Sequence, residues 1–114
     1  GYENRRYGRI ELAQTMHHRL CIRGKKIYTQ EWKIALINNI GMGGLKFSSH
    51  IKYTAGDVIQ IQIELIDIKK MFKCTGRALR VEELLTQVQY ATAVEFVNIH
   101  DQDMLDIQDI VDKS

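Results

Sequence analysis

The cleanest two-residue alternation in the chain runs along residues 58–65, where Ile59, Ile61, Ile63 and Leu65 stand against Gln60, Gln62 and Glu64. Side chains on a strand point to its two faces in turn, so this segment predicts a half-buried antiparallel strand. Residues 72–80 repeat the theme, with Phe72, Cys74, Gly76 and Ala78 against Lys73, Thr75 and Arg77. A glycine inside such a run marks a bulge or a sharp bend. Val88, Tyr90, Thr92, Val94 and Phe96 form one face of a further strand, opposite Gln89, Ala91, Ala93 and Glu95. Trp32, Ile34, Leu36 and Asn38 alternate with Lys33, Ala35, Ile37 and Asn39 in a strand that ends in a turn, and Leu45 and Phe47 start the next. A first strand is expected over residues 16–23, its inward face left open, with Gly24-Lys25-Lys26 as the turn that closes it. Thr54-Ala55-Gly56-Asp57 reads as another turn. The period then changes: Met104, Leu105, Ile107, Ile110 and Val111 keep helical spacing behind Asp101 and Asp103, acids placed where they offset a helix dipole. About six short strands followed by one helix predict a mainly β fold, a small antiparallel barrel closed or plugged by that helix.

Two stretches stand outside this core pattern. Residues 39–47 read Asn-Ile-Gly-Met-Gly-Gly-Leu-Lys-Phe, a hairpin connection in which Gly41, Gly43 and Gly44 allow positive φ and a close backbone approach to a ligand. Residues 1–9 are polar, hold Arg5, Arg6 and Arg9, and read as a flexible basic arm ahead of a folded unit over residues 10–114. Arg5 and Arg9 lie four apart, a spacing at which two guanidiniums can converge on one phosphate or one base edge.

Composition narrows the function classes. With 114 residues, 45% hydrophobic and 26% charged, the chain is one globular domain, and a net charge of +2 leaves no broad electrostatic grip on DNA or RNA. Cys21 and Cys74 lie far apart in apolar runs and read as buried free thiols. His17 and His18 are adjacent, so a strand sends them to opposite faces; with no further ligand at metal spacing they read as surface histidines, and no metal site is expected. No run is long enough to span a membrane and no signal-peptide pattern opens the chain, which points to a cytoplasmic domain. The start at Gly1 suggests a piece of a longer protein. A nucleophile with its base, paired carboxylates and a metal set are all missing, so an enzyme is not expected.

Taken together, the arm and the glycine turn resemble the PilZ domain family of bacterial receptors for cyclic di-GMP. The family's RxxxR arm is matched by Arg5-Arg6-Tyr7-Gly8-Arg9, and its [D/N]x[S/A]xxG strand turn by Asn39-Ile40-Gly41-Met42-Gly43-Gly44. Gly56 before a strand, Gly76-Arg77-Ala78, and Thr92-Ala93-Val94-Glu95-Phe96-Val97 before a terminal helix continue the likeness over nearly the whole chain. The resemblance implies a six-stranded barrel of PilZ type with cyclic di-GMP as ligand, no cofactor, and a protein partner or flanking domain that receives the signal. It implies a binding set of Arg5, Arg6, Arg9, Asn39, Gly41 and Gly44: arginines on phosphates and the guanine O6/N7 edge, Asn39 on a guanine donor edge, Gly44 keeping the turn open. Forked, permanently charged guanidiniums suit such a ligand better than lysine does. Gly41 departs from the family's small hydroxyl or alanine. A missing hydroxyl removes one neutral hydrogen bond, about 0.5 to 1.5 kcal/mol or up to roughly tenfold in affinity. The departure keeps a second expectation open, an adaptor that has lost the ligand and works through protein contacts alone.

Overall fold

The computed structural model describes residues 9–65, 69–84 and 88–113, with residues 9–13 as backbone. Seven strands and one helix follow in order: β1 (Arg9–Arg23), β2 (Lys26–Ile27), β3 (Lys33–Gly41), β4 (Gly44–Ser49), β5 (Val58–Leu65), β6 (Lys70–Leu84), β7 (Gln89–Asn98) and α1 (Asp101–Asp112). Every pairing is antiparallel, in the order β1-β3-β4-β7-β6-β5, and β5 returns to pair with β1. Six strands therefore close a barrel, and closure leaves no sheet edge to protect. The two-residue β2 only folds back on the end of β1.

The alternations predict the walls well where one face is wholly apolar. Ile59, Ile61, Ile63 and Leu65 of β5 all point into the core, with Phe72, Cys74 and Ala78 of β6, Leu45 and Phe47 of β4, and Val94 of β7. Gly76 sits where the β6–β7 register shifts, as expected of a bulge; a Cβ there would lie 3.2 Å from the Val94 side chain. From α1, Ile107 enters the same core, with Ile110 and Val111 partly buried beside it. The Lys70 ammonium ties α1 to the barrel, at 3.0 Å from Asp103 and in a hydrogen bond to Asp106.

Several expectations change. β1 starts at Arg9 rather than near residue 16, and Met16, His18 and Leu20 form its inward face. His18 is a core residue with no exposed surface, not a surface histidine: its Nδ1 lies 2.6 Å from the Tyr53 hydroxyl and its ring 4.9 Å from that of Phe47. Burial, the main cause, lowers its pKa from 6.5 to about 4, with His17 and Lys33 adding to the fall and the Ile34 backbone opposing it. On β3 the inward set is Ala35 and Ile37, and Ile34 and Leu36 are exposed, because the register seats Ala35 opposite the bulky Met16. In β7 both faces are buried, Ala91 and Ala93 as well as Thr92 and Val94, whereas Val88 is exposed. Cys74 is buried and its thiol pushed up to about 12, chiefly by desolvation; Cys21 is only half-buried. The described residues contain no helix long and apolar enough to cross a membrane.

Candidate functional site

The hairpin singled out in the sequence joins β3 to β4, and a bulge shapes its first arm. Ile37 and Ile40 both point into the barrel, although they are three positions apart, so the two residues between them must share the outward step. The β3–β4 register shifts at this place, leaving Asn38 and Asn39 half-buried together on the outer wall. The Ser48 hydroxyl donates to Asn38 Oδ1 at 2.8 Å and fixes that side chain.

Pairing then carries one row of residues across five strands. Arg9 stands opposite Gly41, Gly41 opposite Gly44, Gly44 opposite Glu95, and Glu95 opposite Arg77. The next row reads Glu11, Asn39, Lys46, Ala93 and Arg80. Directly paired residues share a face, so from β3 to β6 these two rows make one patch of outer wall, bordered by the backbone of β1. Its floor is Gly41, Gly44 and Ala93, which raise almost no side chain, and its far rim is cationic. Lys46 and Arg80 flank Glu82 at 4.0 and 3.5 Å, and Arg77 lies 3.5 Å from Glu95. These pairs are solvent-exposed at one or both ends and worth little to stability, so the cations can turn to an anionic ligand at small cost.

The glycines are there for a different reason than positive φ. Among described residues the positive-φ glycines are Gly24 and Gly56, at 61° and 95°. An ideal Cβ on Gly44 would lie 2.1 Å from the Val94 carbonyl oxygen, so β4 and β7 approach too closely for any side chain. Phe96 N–H donates to the Gly43 carbonyl at 2.9 Å and holds the turn down on β7.

Of the six expected site residues, Asn39, Gly41 and Gly44 share this patch, and Arg9 joins it through its backbone, as the first residue of β1 rather than the last of an arm. Arg5 and Arg6, with the rest of the arm, lie outside the described residues. Lys46, Arg77 and Arg80 were not among the expected binding residues, although Arg77 belongs to the Gly76-Arg77-Ala78 likeness; only the strand register brings them to the wall of the glycines. Among the described residues no group of His, Cys, Asp or Glu could hold a metal ion.

A family model for the PilZ domain matches residues 3–113. No curated protein sequence matches significantly. Among solved structures, the Bacillus subtilis inhibitor of motility MotI/DgrA is similar at a TM-score of 0.76 and 13% identity, over 92% of this chain and 48% of its own. The PilZ domain of Escherichia coli YcgR, solved with c-di-GMP, aligns at 0.65 and 14% identity over 95% of this chain and 88% of its own. Borreliella burgdorferi PlzA, also solved in complex with c-di-GMP, aligns at 0.60 and 13% identity over 90% of this chain and 38% of its own. The chain thus spans about half the length of MotI/DgrA. With the family model covering all but the last few residues at either end, and a closed six-stranded barrel carrying the motif hairpin, this chain belongs to the PilZ domain family.

Proposed function

We propose that the domain is a receptor for cyclic di-GMP that binds the dinucleotide on the glycine-floored wall of β3, β4 and β7. The observation that carries the reading is the row running from Arg9 through Gly41 and Gly44. It sets the last arginine of the RxxxR motif directly beside the [D/N]xxxxG turn, with Asn39 in the neighbouring row. A flat floor without side chains admits a purine face. Asn39 offers both an amide donor and a carbonyl acceptor to a guanine edge, and Arg5, Arg6 and Arg9 meet the phosphates and the O6/N7 edge. Lys46 and Arg80 add positive charge on the far side of the floor. By engaging Arg5 and Arg9 together, the ligand clamps residues 1–8 onto the wall and changes the surface that a partner or neighbouring domain meets. The protein acts as a receptor, with no chemistry done on the ligand.

Titration calorimetry with cyclic di-GMP tests this and counts ligands per domain. Charge-assisted bonds contribute about 1.5 to 3 kcal/mol each, so Arg5→Ala or Arg9→Ala weakens binding roughly 10- to 100-fold. Melting temperature without ligand stays put in Arg5→Ala. Equal binding by both variants and the parent refutes the site. Gly41 in place of a hydroxyl or alanine favours the second reading, an adaptor without ligand; absence of binding by the parent at concentrations well above micromolar selects it.

A further inference from the structure

A second surface, on the opposite side of the barrel, has the makings of a docking groove. Two clefts of about 290 and 180 Å³ lie on the outer wall of β1, β5 and β6 and meet at Gln62. The strand register gives their layout. Arg19 pairs with Gln60 and Gln60 with Thr75; two residues along, His17 pairs with Gln62 and Gln62 with Lys73; two further, Glu64 pairs with Met71. From Thr75 to Met71 the groove runs about 13 Å, the length of four to five extended residues.

The two ends differ in chemistry. At one end the Arg19 guanidinium lies 4.3 Å from the Trp32 ring centre, its Nε donating to Gln60 Oε1 at 2.7 Å and its Nη1 to the Gln30 carbonyl at 3.3 Å. Among the arginines whose side chains are described, Arg23, Arg77 and Arg80 each have a carboxylate partner and Arg19 has none. Lys73, across the cleft on β6, also lacks one. A guanidinium stacked and bonded only to neutral groups is held ready for an anion, with little side-chain entropy left to lose. Toward the other end, Met71 is 45% exposed, and the β1–β3 register sets Leu36 (47% exposed) and Ile34 (64%) beside Thr15 and His17 on the same wall. Met71 is the large apolar side chain within the groove itself, while Leu36 and Ile34 stand on β3, one strand beyond its β1 edge. The larger cleft lies open along the wall, whereas sites for small molecules bury most of the ligand's surface.

We infer that this groove docks an extended acidic segment of a partner protein, its Asp or Glu on Arg19 and Lys73 and an apolar side chain on Met71. Glu64 beside Met71 sets the polarity, because it repels an acid placed at that end. The groove shares no residue with the dinucleotide wall, so the two readings can fail separately.

Trp32 is the only tryptophan in the chain and lines the cationic end, so its fluorescence reports on occupancy. A random dodecapeptide display library is panned against the whole domain, and the enriched peptides are synthesised and titrated while Trp32 emission is followed. The expected peptides join one or two acids to an apolar residue, shift Trp32 emission, and bind Arg19→Gln and Lys73→Glu at least tenfold more weakly, Met71→Ser several-fold more weakly. Each variant keeps the parent's circular dichroism and cyclic di-GMP titration. If no peptide is enriched, or if enriched peptides leave Trp32 unmoved or bind Arg19→Gln as they bind the parent, the proposal falls. It falls equally if sedimentation shows the parent to be a dimer that Arg19→Gln dissolves, since the occupant is then a second copy of this chain.

Discussion

Replacing Gly44 by alanine adds one methyl group at the tightest point of the candidate site. The new Cβ would stand 2.1 Å from the Val94 carbonyl oxygen and 3.1 Å from Glu95 Cα, both backbone atoms that cannot rotate away. The strands must part by roughly 1 Å before the contact is tolerable, which opens the β4–β7 ladder where Gly44 faces Glu95. Overpacking of this kind costs about 1–3 kcal/mol, and a lost ladder hydrogen bond about 1 kcal/mol more. At about 4 °C per kcal/mol for a chain of this size, the melting temperature drops by roughly 8–16 °C. Gly43, one residue earlier, has nothing within 4 Å of an added Cβ and no positive φ, so Gly43→Ala serves as the matched control and stays within about 2 °C of the parent. Thermal unfolding followed by far-ultraviolet circular dichroism and by Trp32 fluorescence measures both. A Gly44→Ala protein melting within about 2 °C of the parent refutes the steric account of the motif glycine.

Three further predictions follow from buried or strained groups. The His18 pKa is lowered from 6.5 to about 4 in the fold, so the unfolded chain takes up a proton that the native state refuses; stability falls as pH drops from 6.5 to 4, by up to about 3 kcal/mol, and urea titrations should show that slope flattened in His18→Gln. Burial pushes the Asp57 carboxyl up, but the Arg23 fork at 2.9 and 2.8 Å and the Thr54 N–H outweigh it and hold the pKa below its ordinary 3.8. Its stabilisation is therefore complete above pH 4 and lost as pH falls through the native value; Asp57→Asn costs about 1–2 kcal/mol at pH 7, discounted for the exposed Arg23, and removes that acid-side loss. Gly41 lies outside the left-handed region, so Gly41→Ser carries no φ penalty and tightens cyclic di-GMP binding up to about tenfold by calorimetry, and unchanged or weaker binding rules out the missing hydroxyl as the limiting contact.

Much of the barrel is legible in the sequence because a strand with one wet face must alternate. β5 shows this most plainly: its inward isoleucines are separated by glutamines that need water. Alternation falters where both faces are covered or where the apolar set is the exposed one. In β7 the side chains of Lys46 and Glu82 reach toward each other from the strands on either side of it, so Ala91 and Ala93 are buried on the outer wall and that face is polar only toward its ends, at Gln89 and Glu95. In β3 both faces are apolar by composition, and only pairing with Met16 and Phe47 decides that Ala35 and Ile37 go inside. His18 was misread for a related reason, since nothing local to His17-His18 reveals that Tyr53, far along the chain, supplies a hydroxyl in the core.

The candidate site depends on that same long-range register. Strict alternation puts Asn38 and Asn39 on opposite faces; the bulge puts both outside, and its trace in the sequence is the three-residue step from Ile37 to Ile40, out of phase with a flat strand. Gly41, Gly43 and Gly44 look alike as turn residues, yet they answer to different constraints. Gly43 meets open space, whereas Gly44 is pressed against β7. No local property of the hairpin distinguishes them, because the atom that excludes a side chain at Gly44 belongs to Val94, fifty residues away in the chain. The rim follows the same logic. Lys46, Arg77 and Arg80 look like ordinary solvent-facing charges within their own strands, and they join the wall of the motif glycines only because β4, β7 and β6 pair in that order. A motif of glycines and one asparagine marks the hairpin of the proposed dinucleotide wall, and the strand order decides which cations share that wall with it.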